Sequence, residues 1–562
     1  MHKKTIAKLL IVISILLIPS VIYILYKKPQ ETKTIIRVEK PIPVLSYSDK
    51  VYLPYENFRY IDQSQEISRL YGEGTEFIDP WLEGTAIITA FNNGYRNNDS
   101  NSYVAGLKRL DKVLAVFDKK GAWPHPQYGS YPDGWVSSMD APVIALCSQA
   151  AYEITGEKKY IEYRERIVRH MLKTVKEGSF ILPLKNGTQW LAEYAYPLST
   201  EENEYYVLNG FLVGLQSILM LANATADEEL YATYDKALLA YKKLAPGYWY
   251  KSFDWSYYML NPLTIIEPHY MIYETKQLDA LYTLHSDNFY DEEATKHRIA
   301  LTKILPLYAV DNQYYLLRAG APHPYYIDIF LNTIEFYDDQ GNITGTIKSN
   351  RTGSFFERAF MQGSIPANTK GYHMYSHNGS DAKKYYLFSA PIRQIKSDDQ
   401  LKPSKIDYTT NGFNDAIPVA KNEFSLKREV SSSDEGTIVI ELDKPLQKSV
   451  DSFWGIEITS AEEALVYIVL FDNQGNTAHR YYRPLVQGKN LLLLHSLGFN
   501  NFENLKGDIN KVRISIFTET EVNKHNKSDW MVEINGVYNY PTSASAFMHL
   551  KGHPDLIINE QK

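Results

Sequence analysis

Cysteine is nearly absent. Cys147 stands alone in 562 residues, which excludes an internal disulfide, and its place in the apolar pattern Ile144, Cys147, Ala151, Ile154 reads as a buried packing thiol. A basic stripe is missing too: 59 Lys and Arg are interspersed among 66 Asp and Glu, for a net charge of -7, which argues against nucleic acid as a partner. No small-x-small cleavage site accompanies the N-terminal apolar run. Residues 9–26 carry no charge, are bracketed by Lys3, Lys4, Lys8 and by Lys27, Lys28, and are just long enough to span a bilayer. The expectation is an uncleaved, single-pass membrane anchor, with residues 1–8 as a short cytoplasmic tail and the bulk extracytoplasmic.

What is present divides the chain by texture. Residues 27–51, charged and containing Pro41 and Pro43, read as a linker. Residues 52–310 carry helical periodicity from the Asp79-Pro80 cap pair onward, with patterns over 81–91, 103–117, 141–155, 158–175, 207–221, 230–244, 270–284 and 292–304. In the second of these, Val104, Leu107, Leu114 and Phe117 form the expected apolar face. Short turns alternating with long Gly/Pro/aromatic loops suggest an α/α barrel with the long loops at one end. Beyond residue 310, β-branched and aromatic runs between turn signals predict a β-rich module over 311–405, a jelly-roll-like β-sandwich over 406–545 and a tail over 546–562. The fold class expected is therefore multidomain α plus β, an α/α-barrel-like domain followed by β-sandwich modules.

The segments FYDDQGN (336–342) and LFDNQGN (470–476) repeat one pattern, a strand running into a Gly-containing turn. Their Asp residues are candidate Ca²⁺ ligands, although turn formation accounts for them equally. His373 with His377 and His549 with His553 have i, i+4 spacing but lack an HExxH glutamate, so no metal or other cofactor is implied.

Tyrosine is abundant, 45 residues, and its ring stacks on sugars while its hydroxyl reaches sugar hydroxyls. Three loops concentrate such chemistry. Residues 121–139 offer Trp123 and Trp135. Residues 190–211 place Glu193 beside Tyr194, with Tyr196 beyond and Asn209 at a helix start. Residues 248–278 contribute Asp254, Tyr257, Tyr258, Glu267, His269 and Tyr270. A carboxylate and phenols sharing one pocket suit proton transfer, because burial moves their pKa values.

The motifs Gly121-Ala-Trp-Pro, Gly134-Trp135-Val-Ser137-Ser-Met139, Trp190-Leu-Ala-Glu193-Tyr194, Val207-Leu-Asn209-Gly210-Phe211 and Tyr270 with Lys276-Gln277-Leu278 together resemble the C-terminal catalytic region of the D-glucuronyl C5-epimerases. The resemblance covers about residues 80–305. It implies an isomerase acting on hexuronate residues of a heparan-like polysaccharide, glucuronate to iduronate, by C5 proton abstraction and reprotonation. Glu193, Tyr194 and Tyr270 fall on family positions linked to that proton transfer. Trp123, Trp135, Tyr196, Asn209, Asp254, His269 and Lys276 are then candidate substrate-binding residues, with Lys276, Arg96 and Lys251 available to neutralise a carboxylate.

The chain also departs from the family. Phe253 stands where the family has a catalytic tyrosine, leaving Tyr257 or Tyr258 to supply the phenol, and Met271 and Glu274 replace two histidines. Alternatives are a uronate lyase, which shares the C5 abstraction, a two-carboxylate glycosidase using Glu193 with Glu267 or Asp254, and a non-catalytic glycan-binding or envelope-assembly protein with a degenerate site.

Overall fold

The computed structural model describes residues 77–304 apart from 130, 252 and 253, residues 37–38, 40–47 and 50–51, and stretches between 307 and 558 that contain the strands named below. The expected anchor at 9–26 and Phe253 lie outside the described residues.

Between residues 80 and 304 the described residues form four helical hairpins: α1 (Pro80–Asn97) with α2 (Ser100–Lys120), α3 (Asp140–Thr155) with α4 (Lys158–Met171), α5 (Leu208–Thr225) with α6 (Glu228–Tyr248), and α7 (Pro268–His285) with α8 (Asn288–Ile304). Local chemistry sets their ends. Asp79, Asp99 and Asp227 each accept a hydrogen bond from a first-turn N–H, Pro80 opens α1, and Gly156 closes α3 at φ 71°. Helices α1, α3, α5 and α7 pack in succession, each against the next. Helices α3 and α5 are buried on nearly every side, whereas α2 and α4 bury one stripe, so odd-numbered helices form an inner layer and even-numbered ones an outer layer. The expected apolar face of α2 holds for Leu114 and Phe117 but not for Val104, which is 63% exposed.

Helix α5 is the one described helix long and apolar enough to cross a membrane, and 94% of that window is buried inside the protein. It is the central helix of the core, between α3 and α7. Short strands bind the loops at one end of this array: β1 (Ile181–Pro183) with β2 (Gln189–Leu191), and β3 (Trp249–Tyr250), β4 (Trp255–Leu260) and β5 (Leu263–Ile265) in a three-stranded sheet.

Sheets make up the second half. One antiparallel sheet joins Thr333–Tyr337, Ile343–Lys348, Gly371–Asn378 and Asp381–Pro391. Two larger sheets of five and six strands follow between 406 and 558. Alternate residues Ile438, Ile440, Ile514 and Ile516 of the first, and Ile456, Ile458, Val532 and Ile534 of the second, are buried, the period of a sheet with one covered face. The repeated turns are alike in detail. Asp338 accepts from the N–H groups of Gln340 and Asn342 and from Asn342 Nδ2, and Asp472 does the same with Gln474 and Asn476 while also accepting from Lys506 and Gly507. These carboxylates are spoken for by turn donors, which is the role the Asx geometry gives them.

The helical half meets the first sheet along α7 and α8. Lys276 Nζ donates to Ser376 Oγ at 2.9 Å, Arg298 pairs with Asp279, and Tyr385 donates to Asp279.

Candidate active site

The first and second aromatic loops are stitched together by their backbones. Val136 and Ala195 exchange N–H···O bonds of 2.8 Å, Ser138 N donates to Ala192 O at 3.0 Å, and Ser138 Oγ donates to Gly210 O at 3.1 Å. The third loop joins through Leu260 N and Asn261 N, both donating to Tyr205 O. All three loops therefore close around the N-terminus of α5.

Two carboxyls sit at that helix end. Glu193 Oε2 accepts the Gly210 N–H at 3.1 Å and Glu204 Oε1 accepts the Tyr206 N–H at 3.3 Å. The first turn of α5 has no side-chain cap from Val207, so Glu193 fills that role from another part of the chain. Burial pushes the Glu193 carboxyl up to about 7, against the lowering effect of the Tyr194 hydroxyl and the Gly210 N–H; burial likewise raises Glu204 to about 7. Each carboxyl thus titrates near neutrality.

Phenols surround the pair. Tyr131 stacks on Tyr194 with centroids 4.0 Å apart and planes 6° from parallel, Tyr205 meets Tyr131 edge-on at 4.8 Å, and Tyr258 packs against Tyr270 at 4.9 Å. Burial, and then the charge of Glu193, raise the Tyr194 and Tyr258 hydroxyls well above their ordinary value, with Tyr270 acting on both. Tyr131, Tyr194, Tyr205, Tyr258 and Tyr270 are all partly exposed; they line an opening over a buried carboxyl. At neutral pH Tyr131, Tyr194 and Tyr258 keep their protons.

The structure separates the adjacent tyrosines of β4. Tyr258 faces the cleft, whereas Tyr257, one residue back and therefore on the other face of the strand, stacks on Tyr250 at 5.3 Å and is pushed up to about 12 by burial with Tyr250 and Glu503 nearby. Tyr257 is thus not part of the cluster. Trp135 is, through a tilted contact with Tyr194 at 5.0 Å, while its indole N–H donates to Pro126 O. Asn209 is also at the α5 end, buried, with Oδ1 lacking a hydrogen-bond partner. Tyr196 lies on the adjoining turn, partly exposed, its N–H donating to Ser199 Oγ.

Three expected binding residues sit elsewhere. Trp123 is a core side chain, buried against Phe117 with its N–H on Val113 O; in a sequence, an aromatic under a loop looks the same as one lining it. Asp254 adopts a left-handed backbone, φ 51°, and pairs with Lys303. Lys276 is fully buried at the joint with the first sheet, under Tyr385, and burial lowers its ammonium to about 7. The side chain of His269 lies outside the described residues.

Sequence reasoning missed Tyr131, Glu204 and a buried pair behind Trp135. His125 Nε2 lies 2.7 Å from Asp140 Oδ2 and its ring is stacked under Trp135 at 3.9 Å. Burial alone would lower the imidazole, and the Asp140 carboxylate more than reverses this. The pair fixes the ring that supports Trp135, and so shapes the cleft wall. No local pattern announces it, since the partners are joined only by the fold. Among the described residues, no group of three or more His, Cys, Asp or Glu converges as a metal-ligand set.

Comparison with known proteins points to the same region. Residues 117–298 match the family model of the D-glucuronyl C5-epimerase C-terminus. This epimerase-like region spans α3 to α7 and includes every residue of the cleft described above. An uncharacterised protein of Methanocaldococcus jannaschii is 29% identical over 163 residues, 27% of this chain and 50% of the relative; the chain thus spans about half the length of that curated relative. Among solved structures, a GH76 α-mannanase of Bacteroides thetaiotaomicron is 14% identical, covering 52% of this chain and 67% of that one with a TM-score of 0.29. An unsaturated glucuronyl hydrolase specific for heparin is 12% identical over 45% and 63%, TM-score 0.28. Superpositions at that level do not distinguish one chemistry from another. The epimerase match supports a sugar-modifying role for the helical half.

Proposed function

We propose that the cleft exchanges the C5 proton of hexuronate residues in a polysaccharide and so epimerises glucuronate and iduronate. The observation that carries this reading is the convergence of one buried carboxyl, Glu193, with three phenols, Tyr194, Tyr258 and Tyr270. Inversion needs a base on one face of the ring and an acid on the other. Glu193, ionised above about pH 7, is suited to abstract the C5 hydrogen; a phenol hydroxyl is suited to return one from the opposite face, with Tyr270 and Tyr258 in that role. The C5 hydrogen becomes acidic only when the attached carboxylate is neutralised, and the N-terminal end of α7, whose first turn carries Tyr270, is suited to supply partial positive charge. Tyr258 then provides the hydroxyl that Phe253 lacks. Trp135 offers an apolar wall to the sugar face and Asn209 an open acceptor. Residues 9–26 would hold the body at an extracytoplasmic membrane surface, where such polymers are found.

Product analysis tests this directly. The protein, incubated with glucuronate-containing polymers, should change the glucuronate-to-iduronate ratio read by NMR. An unsaturated, ultraviolet-absorbing product would instead mark a lyase, and new reducing ends without unsaturation a glycosidase.

A further inference from the structure

Behind the cleft, three buried polar side chains lack partners. Glu274 and Gln277 lie one and two turns beyond Tyr270 on the same face of α7, and His297 approaches Glu274 from α8. Neither carboxyl oxygen of Glu274, neither amide atom of Gln277 and not Nδ1 of His297 has a hydrogen-bond partner, and Glu274 and Gln277 are fully buried. His297 Nε2 is 3.9 Å from Glu274 Oε2, too long for a direct bond. Polar atoms are rarely left this way, and a cluster of them around one space is the setting of an ordered internal water.

His297 of α8 lies beside Glu274, and Tyr241 and Tyr248 of α6 and Glu193 from the loop before α5 are close enough to act on it electrostatically. Burial, then Glu193, raise the Glu274 carboxyl well above its ordinary value, and burial lowers His297 to about 3. A neutral acid therefore sits beside a neutral imidazole, one turn along α7 from Tyr270.

We propose that Glu274, Gln277 and His297 enclose a buried water site through which Glu274 relays protons between Glu193 and the cleft phenol. The proposal rests on the epimerase reading. In one turnover, Glu193 carboxylate takes the C5 hydrogen as a proton and Tyr270 gives its hydroxyl proton to the opposite face, leaving a neutral Glu193 and a Tyr270 phenolate. Glu274 then gives its proton through water to the phenolate, and the Glu274 carboxylate recovers one from Glu193. The O–H bonds broken and formed balance, and a share of the hydrogen removed from one sugar can reach the next before the relay water exchanges with solvent.

Two measurements test this. In infrared spectra at neutral pH, the wild type should show a protonated-carboxyl C=O component, beyond those of Glu193 and Glu204, that is lost in Glu274→Gln; no loss of such a component in Glu274→Gln would overturn the proposal whatever the activity. With C5-deuterated polymer, wild-type products should retain a measurable share of the label. Glu274→Gln should lose that retention and lower kcat by about a hundredfold, the low end for a positioned proton donor, with KM unchanged and Glu274→Asp recovering part of the rate. Unchanged retention and kcat in a folded Glu274→Gln, or equally in His297→Asn, would also overturn it. A wild type that exchanges no C5 hydrogen on any uronate polymer but keeps the infrared band would refute the epimerase reading while leaving the protonated carboxyl in place.

Discussion

Glu193 Oε2 accepts the Gly210 N–H at 3.1 Å, and a Cβ added to Gly210 would lie 2.2 Å from that same oxygen. Only glycine allows the carboxyl to sit on the end of α5. In Gly210→Ala the carboxyl must swing off the helix, losing a charge-assisted hydrogen bond in a buried setting. The expected result is a loss of about 1–3 kcal/mol in unfolding free energy together with loss of activity. The stability cost should largely vanish in a Glu193→Ala background, a non-additivity that denaturant titration of the four proteins would read.

Acid raises the stability of this site. Glu193 and Glu204 move from an ordinary 4.5 to about 7 when folded, so the folded state binds their protons more tightly than the unfolded state. Their contribution is present in full below pH 4.5 and is lost as pH rises through 7, at roughly 3 kcal/mol per group for shifts of this size. Chemical denaturation at pH 5 and pH 8 should show the difference, and Glu193→Gln should reduce it. Activity runs the opposite way, rising through about pH 7 as Glu193 ionises.

Lys276 carries the reverse signature. Its ammonium falls from 10.5 to about 7 through burial, so the unfolded chain binds that proton more tightly and stability increases between pH 7 and 10.5. Lys276→Met should remove that alkaline increase. Because the side chain faces Ser376 and Tyr385 at the joint of the two halves, KM for a uronate polymer should remain within about twofold of wild type, the size of an effect away from the site.

The pleat of β4 predicts unequal effects for neighbouring tyrosines. Tyr258→Phe should lower kcat by about a hundredfold or more, as expected for removal of a positioned acid. Tyr257→Phe, on the other face against Tyr250, should leave kcat within about twofold. Steady-state kinetics on the same polymer compare the two.

Much of the helical half is legible in the sequence because its signals are local. Asp79-Pro80 and Gly156 mark helix ends by their own chemistry, and the eight periodic runs correspond to α1 through α8, with ends that differ by up to six residues. Glu193-Tyr194 could be picked out for the same reason, as a carboxylate beside a phenol before an apolar helix. Other features depend on tertiary partners. Asp254, in the turn before β4, meets Lys303 of α8, Lys276 meets a strand a hundred residues later, and His125 finds Asp140 across a loop. Trp123 and Trp135 occur in one loop with similar neighbours, and only packing sends one into the core and the other to the cleft. Glu204 and Glu274 resemble ordinary surface acids until burial and missing partners set them apart.

The central claim is tested most directly by incubating the protein with glucuronate polymers in D₂O and reading deuterium at C5 by NMR. The account predicts incorporation at C5 with the C4 linkage intact, reduced by at least about a hundredfold in Glu193→Gln and in Tyr270→Phe. Absence of C5 deuterium on sulfated and unsulfated polymers alike, with the polymer still bound, would contradict it.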